Sequence, residues 1–259
     1  MRMKGVLITV IFGVFSFTLS AKDNFERLLE KYKNVTGENL LVEREKKQTD
    51  LVLKETLNSV LFEGMISVPE KKYAILRNEV TQEFYELIMG KNPSEFKGEK
   101  NFPIENISWY DAVEFCNKLS EKLELVPAYF IHGHNIEWNK NANGYRLPTL
   151  EEWQYAAKGG QEFKYSGSDN IDEVAWYEDN SGRKTHSVAQ KKSNGYGLYD
   201  MSGNVWEWCW DLHSYNRHYC CGGSWYYYDN NCNVSGVEVF ENFITRSYLG
   251  FRIVRNIDE

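Results

Sequence analysis

The chain has no long basic run, no apolar stretch long enough to span a membrane, and no cysteine before Cys116. Each absence excludes something. With 30 Lys and Arg against 37 Asp and Glu, the formal net charge is −7. Non-specific nucleic-acid binding needs clustered cations facing phosphates, so that partner is not expected. Gly5 to Leu19 is apolar apart from Thr9, Ser16 and Thr18, which falls short of the ~20 residues of a helical span. Arg2 and Lys4 precede this stretch and Ser20-Ala21 follows it. The order predicts a secretory signal peptide over residues 1–21 and an exported product with no span after cleavage. With no cysteine near the cleavage point, a lipid-modified N-terminal cysteine is excluded.

Cysteine is scarce and odd in number: Cys116, Cys209, Cys220, Cys221 and Cys232. At least one is unpaired within the chain, and no spacing matches a zinc knuckle. Cys116 and Cys209 read as buried small hydrophobes, and the vicinal Cys220 and Cys221 as free or bonded elsewhere. No repeat recurs at a fixed period. The five histidines offer one close pair, His132-Gly133-His134, which reads as the tip of a hairpin because no third ligand is spaced to help it.

Aromatic residues are abundant: 17 Tyr, 14 Phe and 8 Trp in 259 residues. They supply apolar area with a polar tip, which suits both cores and recognition surfaces. Hydrophobic residues at 42% and charged residues at 26% place the bulk of the chain among globular sequences. Residues 22–60 are rich in Lys and Glu and read as a helical or linker segment, and residues 61–259 as the folded domain. Within it, Met65 to Val68 and Tyr73 to Leu76 predict short strands. Helices are expected over Thr81–Met89, with Phe84, Leu87 and Ile88 on one face, over Trp109–Leu123 capped by Ser108, and over Leu150–Ala157 behind Thr149. Beyond Gly159, short apolar pieces alternate with Gly, Asn, Asp and Ser, as in a loop-rich α+β domain with a small antiparallel sheet.

A succession of motifs then points to a family. Glu79-Val80-Thr81-Gln82, Ile107-Ser108-Trp109-Tyr110-Asp111-Ala112 and Gly144-Tyr145-Arg146-Leu147-Pro148-Thr149 come first. Asn194-Gly195-Tyr196-Gly197-Leu198-Tyr199-Asp200-Met201, Ser202-Gly203-Asn204-Val205-Trp206-Glu207-Trp208, Gly222-Gly223-Ser224-Trp225 and Gly250-Phe251-Arg252 follow. In order and spacing they resemble the formylglycine-generating enzyme (sulfatase-modifying factor) family. The resemblance implies a variant of the C-type lectin fold: α+β, loop-rich, with few helices and short antiparallel strands.

In the family's enzymes, two cysteine thiolates after Gly-Gly-Ser hold copper. The first would fall at Tyr227 and the second at Cys232, so Cys232 is a lone remnant and copper is not expected. No catalytic residue is assigned, and the competing reading is a metal-dependent oxidase in which another group replaces the missing thiolate. The resemblance also implies a calcium site at Asp200 and Glu207 with the carbonyls of Gly203 and Val205. The alternative is that these are hydrogen-bonded turn residues. The enzymes' other calcium site lacks matching carboxylates around Val174-Ala175-Trp176.

Between Trp225 and Gly250 the family pattern dissolves. Asn233 and Val237 stand where relatives often carry Arg, and the segment has no proline. It resembles the variable region of proteins diversified by bacterial retroelements, in which mutated AAC-type codons never yield Lys, Gln, Glu or Met. Asp211 to Leu249 contains no Lys, Gln or Met, while Glu238 and Glu241 would be unmutated positions. The expectation is a tyrosine-rich ligand-binding surface for a protein or other cell-surface partner. It comprises Tyr226, Tyr227, Tyr228, Asp229, Asn230, Asn231, Asn233, Phe240, Asn242, Phe243, Ser247 and Tyr248. The competing reading places Phe240, Phe243 and Ile244 in an ordinary core.

Overall fold

The computed structural model describes residues 39–98 and 101–257, with side chains from residue 46. The expected signal peptide lies outside the described residues. Helix α1 (Asn39–Gly64) runs through the domain boundary expected at residue 60, and the compact unit that carries the motifs begins at Leu53. No described helix is long and apolar enough to cross a membrane.

Short helices start where hydroxyl side chains satisfy free backbone donors. Thr81 caps α2 (Gln82–Met89), accepting the Phe84 N–H at 3.2 Å. Ser108 and Asp111 form a capping box on α3 (Trp109–Lys122), and Thr149 and Glu152 form one on α4 (Leu150–Lys158). In each box two donors that the helix cannot reach are met reciprocally. Glu152 also receives both terminal nitrogens of the buried Arg146, at 2.6 and 2.7 Å. One carboxylate thus fixes the helix start and the strand before it. A single further turn, α5, covers Ile171–Val174.

Strands β1 (Met65–Ser67), β2 (Tyr73–Leu76), β5 (Tyr145–Arg146) and β10 (Val254–Asn256) form one antiparallel sheet in the order β1-β2-β10-β5. Strands β3 (Tyr129–His132) and β4 (Asn135–Trp138) form a separate hairpin. His132 and His134 sit at its tip. The second sheet has the order β8-β7-β6-β9: β8 (Val237–Glu241), β7 (Arg217–Cys221), β6 (Trp206–Ser214) and β9 (Leu249–Gly250). Its β6–β9 pair is parallel, and the other pairs are antiparallel.

Alternation along β6 and β7 divides the core. Trp206, Trp208 and Cys220 join the cluster that also holds α2 and α3, including Tyr85, Phe115 and Phe251. Cys209 and Cys221 join the cluster of Trp153, Leu198 and Met201 on the other face. A fully buried aromatic removes about 200 Å² from water and so contributes about 5 kcal/mol before ordering costs. Trp153, Trp206 and Trp208 are all fully buried, which lets a domain of short elements hold together.

Candidate functional site

The segment after β7 opens with Gly222 and Gly223, both at positive φ. A Cβ on Gly223 would meet the Cys232 sulfur at 2.5 Å, so only glycine allows the chain to return past Cys232. Trp225 then ties the ends of the segment together. Its indole donates to the Ser247 carbonyl at 2.8 Å, and its own carbonyl accepts the Ser181 hydroxyl at 2.9 Å.

Four of the expected surface residues form one aromatic cluster. Tyr226 and Tyr248 are stacked with centroids 5.4 Å apart, and Tyr227 meets both edge-on. Phe240 lies 6.2 Å from Tyr248. Trp206 and Trp208 support the cluster through Tyr227 and Phe240, and Phe96 meets Trp225 edge-on. Burial, together with Tyr248 beside it, pushes the Tyr227 hydroxyl above its ordinary range, so it stays a neutral donor. Tyr226 is 53% exposed, Tyr228 67% and Phe243 62%. Phe243 is therefore not a core residue and Ile244 is only half-buried, while Phe240, half-buried as well, packs against the main core together with Tyr227 and Tyr248.

The polar residues divide. Asn230 is exposed, and Asn231 is half-buried in a 3-10 turn. Asp229 is held by Lys164 at 3.4 Å and by the Tyr165 hydroxyl at 3.2 Å. Asn233 spends its side chain on the Asn230 carbonyl and the Ser235 N–H, and so builds the turn. Ser247 is half-buried and offers its carbonyl to Trp225. Asn242 departs from expectation. It is 7% exposed, its amide donates to the Tyr110 hydroxyl at 2.9 Å, and its carbonyl accepts the Trp109 N–H. Its polar atoms are used inside the fold, so it does not belong to the surface set.

Glu238 and Glu241 serve the edge strand β8. Glu238 accepts the Val239 N–H at 3.0 Å. Glu241 accepts from Arg217 at 2.8 and 3.1 Å, and its own N–H and Arg217 hold its carboxyl below the usual range. Two donors on an edge strand are thus met by carboxylates, which blunts pairing with another strand.

The residues expected to hold calcium form a buried network. Both Glu207 oxygens receive Arg252, each at 2.6 Å, and Oε2 also accepts the Trp153 indole N–H at 2.7 Å. Glu79 accepts Asn204 Nδ2 at 2.6 Å and the Val205 N–H at 3.0 Å. Asp200 accepts the Ala189 N–H at 2.7 Å, and burial pushes its carboxyl up to about 6. Gly203 turns at φ 80 and donates to the Gly222 carbonyl. Both Glu207 oxygens are taken by Arg252, so Glu207 does not fit a calcium ligand; it fits a structural role. Among the described residues, no group of three or more His, Cys, Asp or Glu side chains is placed to hold a metal.

A two-thiolate copper site does not fit either. Tyr227 packs among aromatics, and Cys232 lies in a small core with Tyr165, Val174, Ala175 and Tyr177. Burial pushes its thiol up to about 12.

The family described as "Sulfatase-modifying factor enzyme 1-like domain" matches residues 26–257. The "Chaperone protein LppX" of Paenibacillus barcinonensis is 41% identical over 225 residues, covering 71% of this chain and 80% of that protein. The formylglycine-generating enzyme of Streptomyces coelicolor is 32% identical over 136 residues, 47% of this chain and 36% of the enzyme. Among solved structures, Treponema denticola variable protein 1 superposes with a TM-score of 0.67 at 35% identity. The match covers 74% of this chain and 91% of that one. The architecture is the expected α+β variant of the C-type lectin fold.

Proposed function

The chain belongs to the sulfatase-modifying factor enzyme 1-like domain family, and we propose that it uses this scaffold to bind and not to catalyse. In this reading it is an exported protein that presents a diversified, tyrosine-rich surface to a protein or other cell-surface ligand.

The observation that carries the reading is the aromatic platform of Tyr226, Tyr227, Tyr248 and Phe240, with Tyr228 and Phe243 exposed beside it. Within it, Tyr227 stands where the family resemblance places the first cysteine of the enzymes' pair. Tyr and Phe give large contact areas at low side-chain entropy cost, which favours binding through a few aromatic anchors. The similarity to a protein named as variable supports diversification of this surface, and the similarity to one named as a chaperone accords with binding without chemistry.

The test is selection of binders from a displayed library of cell-surface proteins, with the wild type and a Tyr226→Ala/Tyr228→Ala variant as baits. Wild type is expected to enrich specific binders that the variant loses, with the thermal midpoint unchanged. Equal enrichment by both baits overturns the proposal.

A further inference from the structure

Three of the five cysteines lie on neighbouring strands. The register pairs Glu207 with Cys221 and Trp208 with Cys220 across β6 and β7. Cys209 therefore projects to the same face as Cys221, and both belong to the core around Trp153. Cys220 projects to the opposite face, among Trp206 and Trp208, as strand alternation requires. The sulfurs of Cys209 and Cys221 are 3.8 Å apart, between residues twelve positions apart in the chain. Just beyond this point the β6–β7 register shifts, between Trp208 and Leu212. Such an irregularity gives the backbone room to close the remaining gap.

We propose that Cys209 and Cys221 are a disulfide site, oxidised when the chain folds in an oxidising compartment. A thiolate of one cysteine displaces a thiol from a small disulfide such as oxidised glutathione, giving a mixed disulfide. The second cysteine's thiolate attacks the first cysteine's sulfur and expels the second thiol. One S–S bond forms and one is reduced. Two electrons pass to the oxidant, and the two protons end on the released thiols. Both sulfurs are fully buried in the folded chain, and burial raises both thiols above their ordinary range. The bond is therefore made before the hairpin is covered, not on the finished fold.

Its consequence is mechanical. Strand β7 carries β8, and β6 carries β9, so the strand that holds Phe240 and the strand that follows the tyrosine-rich segment both hang on this one pair. A covalent tie between β6 and β7 supports the scaffold whatever residues the surface displays.

The experiment is refolding of the full chain from denaturant in mixed oxidised and reduced glutathione, followed by intact mass and peptide mapping without reductant. The expected result is loss of two hydrogens, one linked peptide pair holding Cys209 and Cys221, and three alkylatable thiols. A loop of this size predicts a midpoint higher than that of the reduced protein by about 8 °C, a shift absent from a Cys209→Ala/Cys221→Ala variant. Five alkylatable thiols, or a link that uses Cys116, Cys220 or Cys232, overturns the proposal. The mass result decides even where the variant fails to fold.

Discussion

At the scale of single residues, burial decides roles that residue type leaves open. Asn242 and Asn230 are the same amino acid twelve positions apart in one polar, aromatic segment, yet one is locked to Tyr110 and the other faces solvent. Sequence could not separate them, because the separating contacts come from α3, more than a hundred residues away. Glu79 was legible as the start of a motif, but its role as acceptor for Asn204 and Val205 depends on tertiary closure. Glu105 shows the energetic side. Its Oε1 accepts the Phe96 N–H, its Oε2 is buried without a partner, and burial pushes its carboxyl up to about 7. A carboxyl raised on folding holds its proton more tightly in the native state. Its contribution is present at low pH and is lost as pH rises through about 7. Glu105→Gln is therefore expected to match wild type below about pH 4, under the unfolded carboxyl's own pKa, and to be more stable near pH 8, by up to about 3 kcal/mol. Denaturant titrations at the two pH values check this, and a pH-independent difference would contradict it.

At the scale of elements, the starts of helices were the most legible feature. Thr81, Ser108 and Thr149 cap the helices expected of them, because capping is a local interaction between a side chain and the next turn. The faces were less legible. Helix α2 buries Gln82, Tyr85 and Ile88, with Phe84 and Leu87 only partly covered. Gln82 is buried because Phe96 and Pro103 offer carbonyls to its amide, partners that no periodicity reveals. The cap on α3 also bears on the C-terminal segment, since Trp109 and Tyr110 in its first turn hold the buried Asn242. Ser108→Ala is expected to cost about 1 kcal/mol, read as a lower urea midpoint with an unchanged slope. A loss below about 0.3 kcal/mol would show that Asp111 holds the helix start alone.

At the scale of the whole molecule, the fold was legible because its motifs place glycines and tryptophans where short elements must cross. What each motif now does was not. Of the residues expected to hold calcium, Glu207 forms an ion pair with Arg252 inside the core. Because Arg252 already occupies both Glu207 oxygens, chelation with EDTA is expected to leave the thermal midpoint within about 1 °C; a larger drop would mean that an ion contributes to stability. The aromatic cluster lies between the turn at Gly222-Gly223 and strand β9. The central claim is that this surface varies while its frame does not. The most direct test is to sequence the final segment of this gene, with its flanking DNA, in many sister isolates. The account predicts substitutions at exposed positions such as Tyr226, Tyr228, Asn230 and Phe243, with Cys232, Glu238, Glu241 and Asn242 unchanged and a near-copy template nearby. An invariant segment, or substitutions spread equally over the buried Asn242 and Cys232, would contradict it.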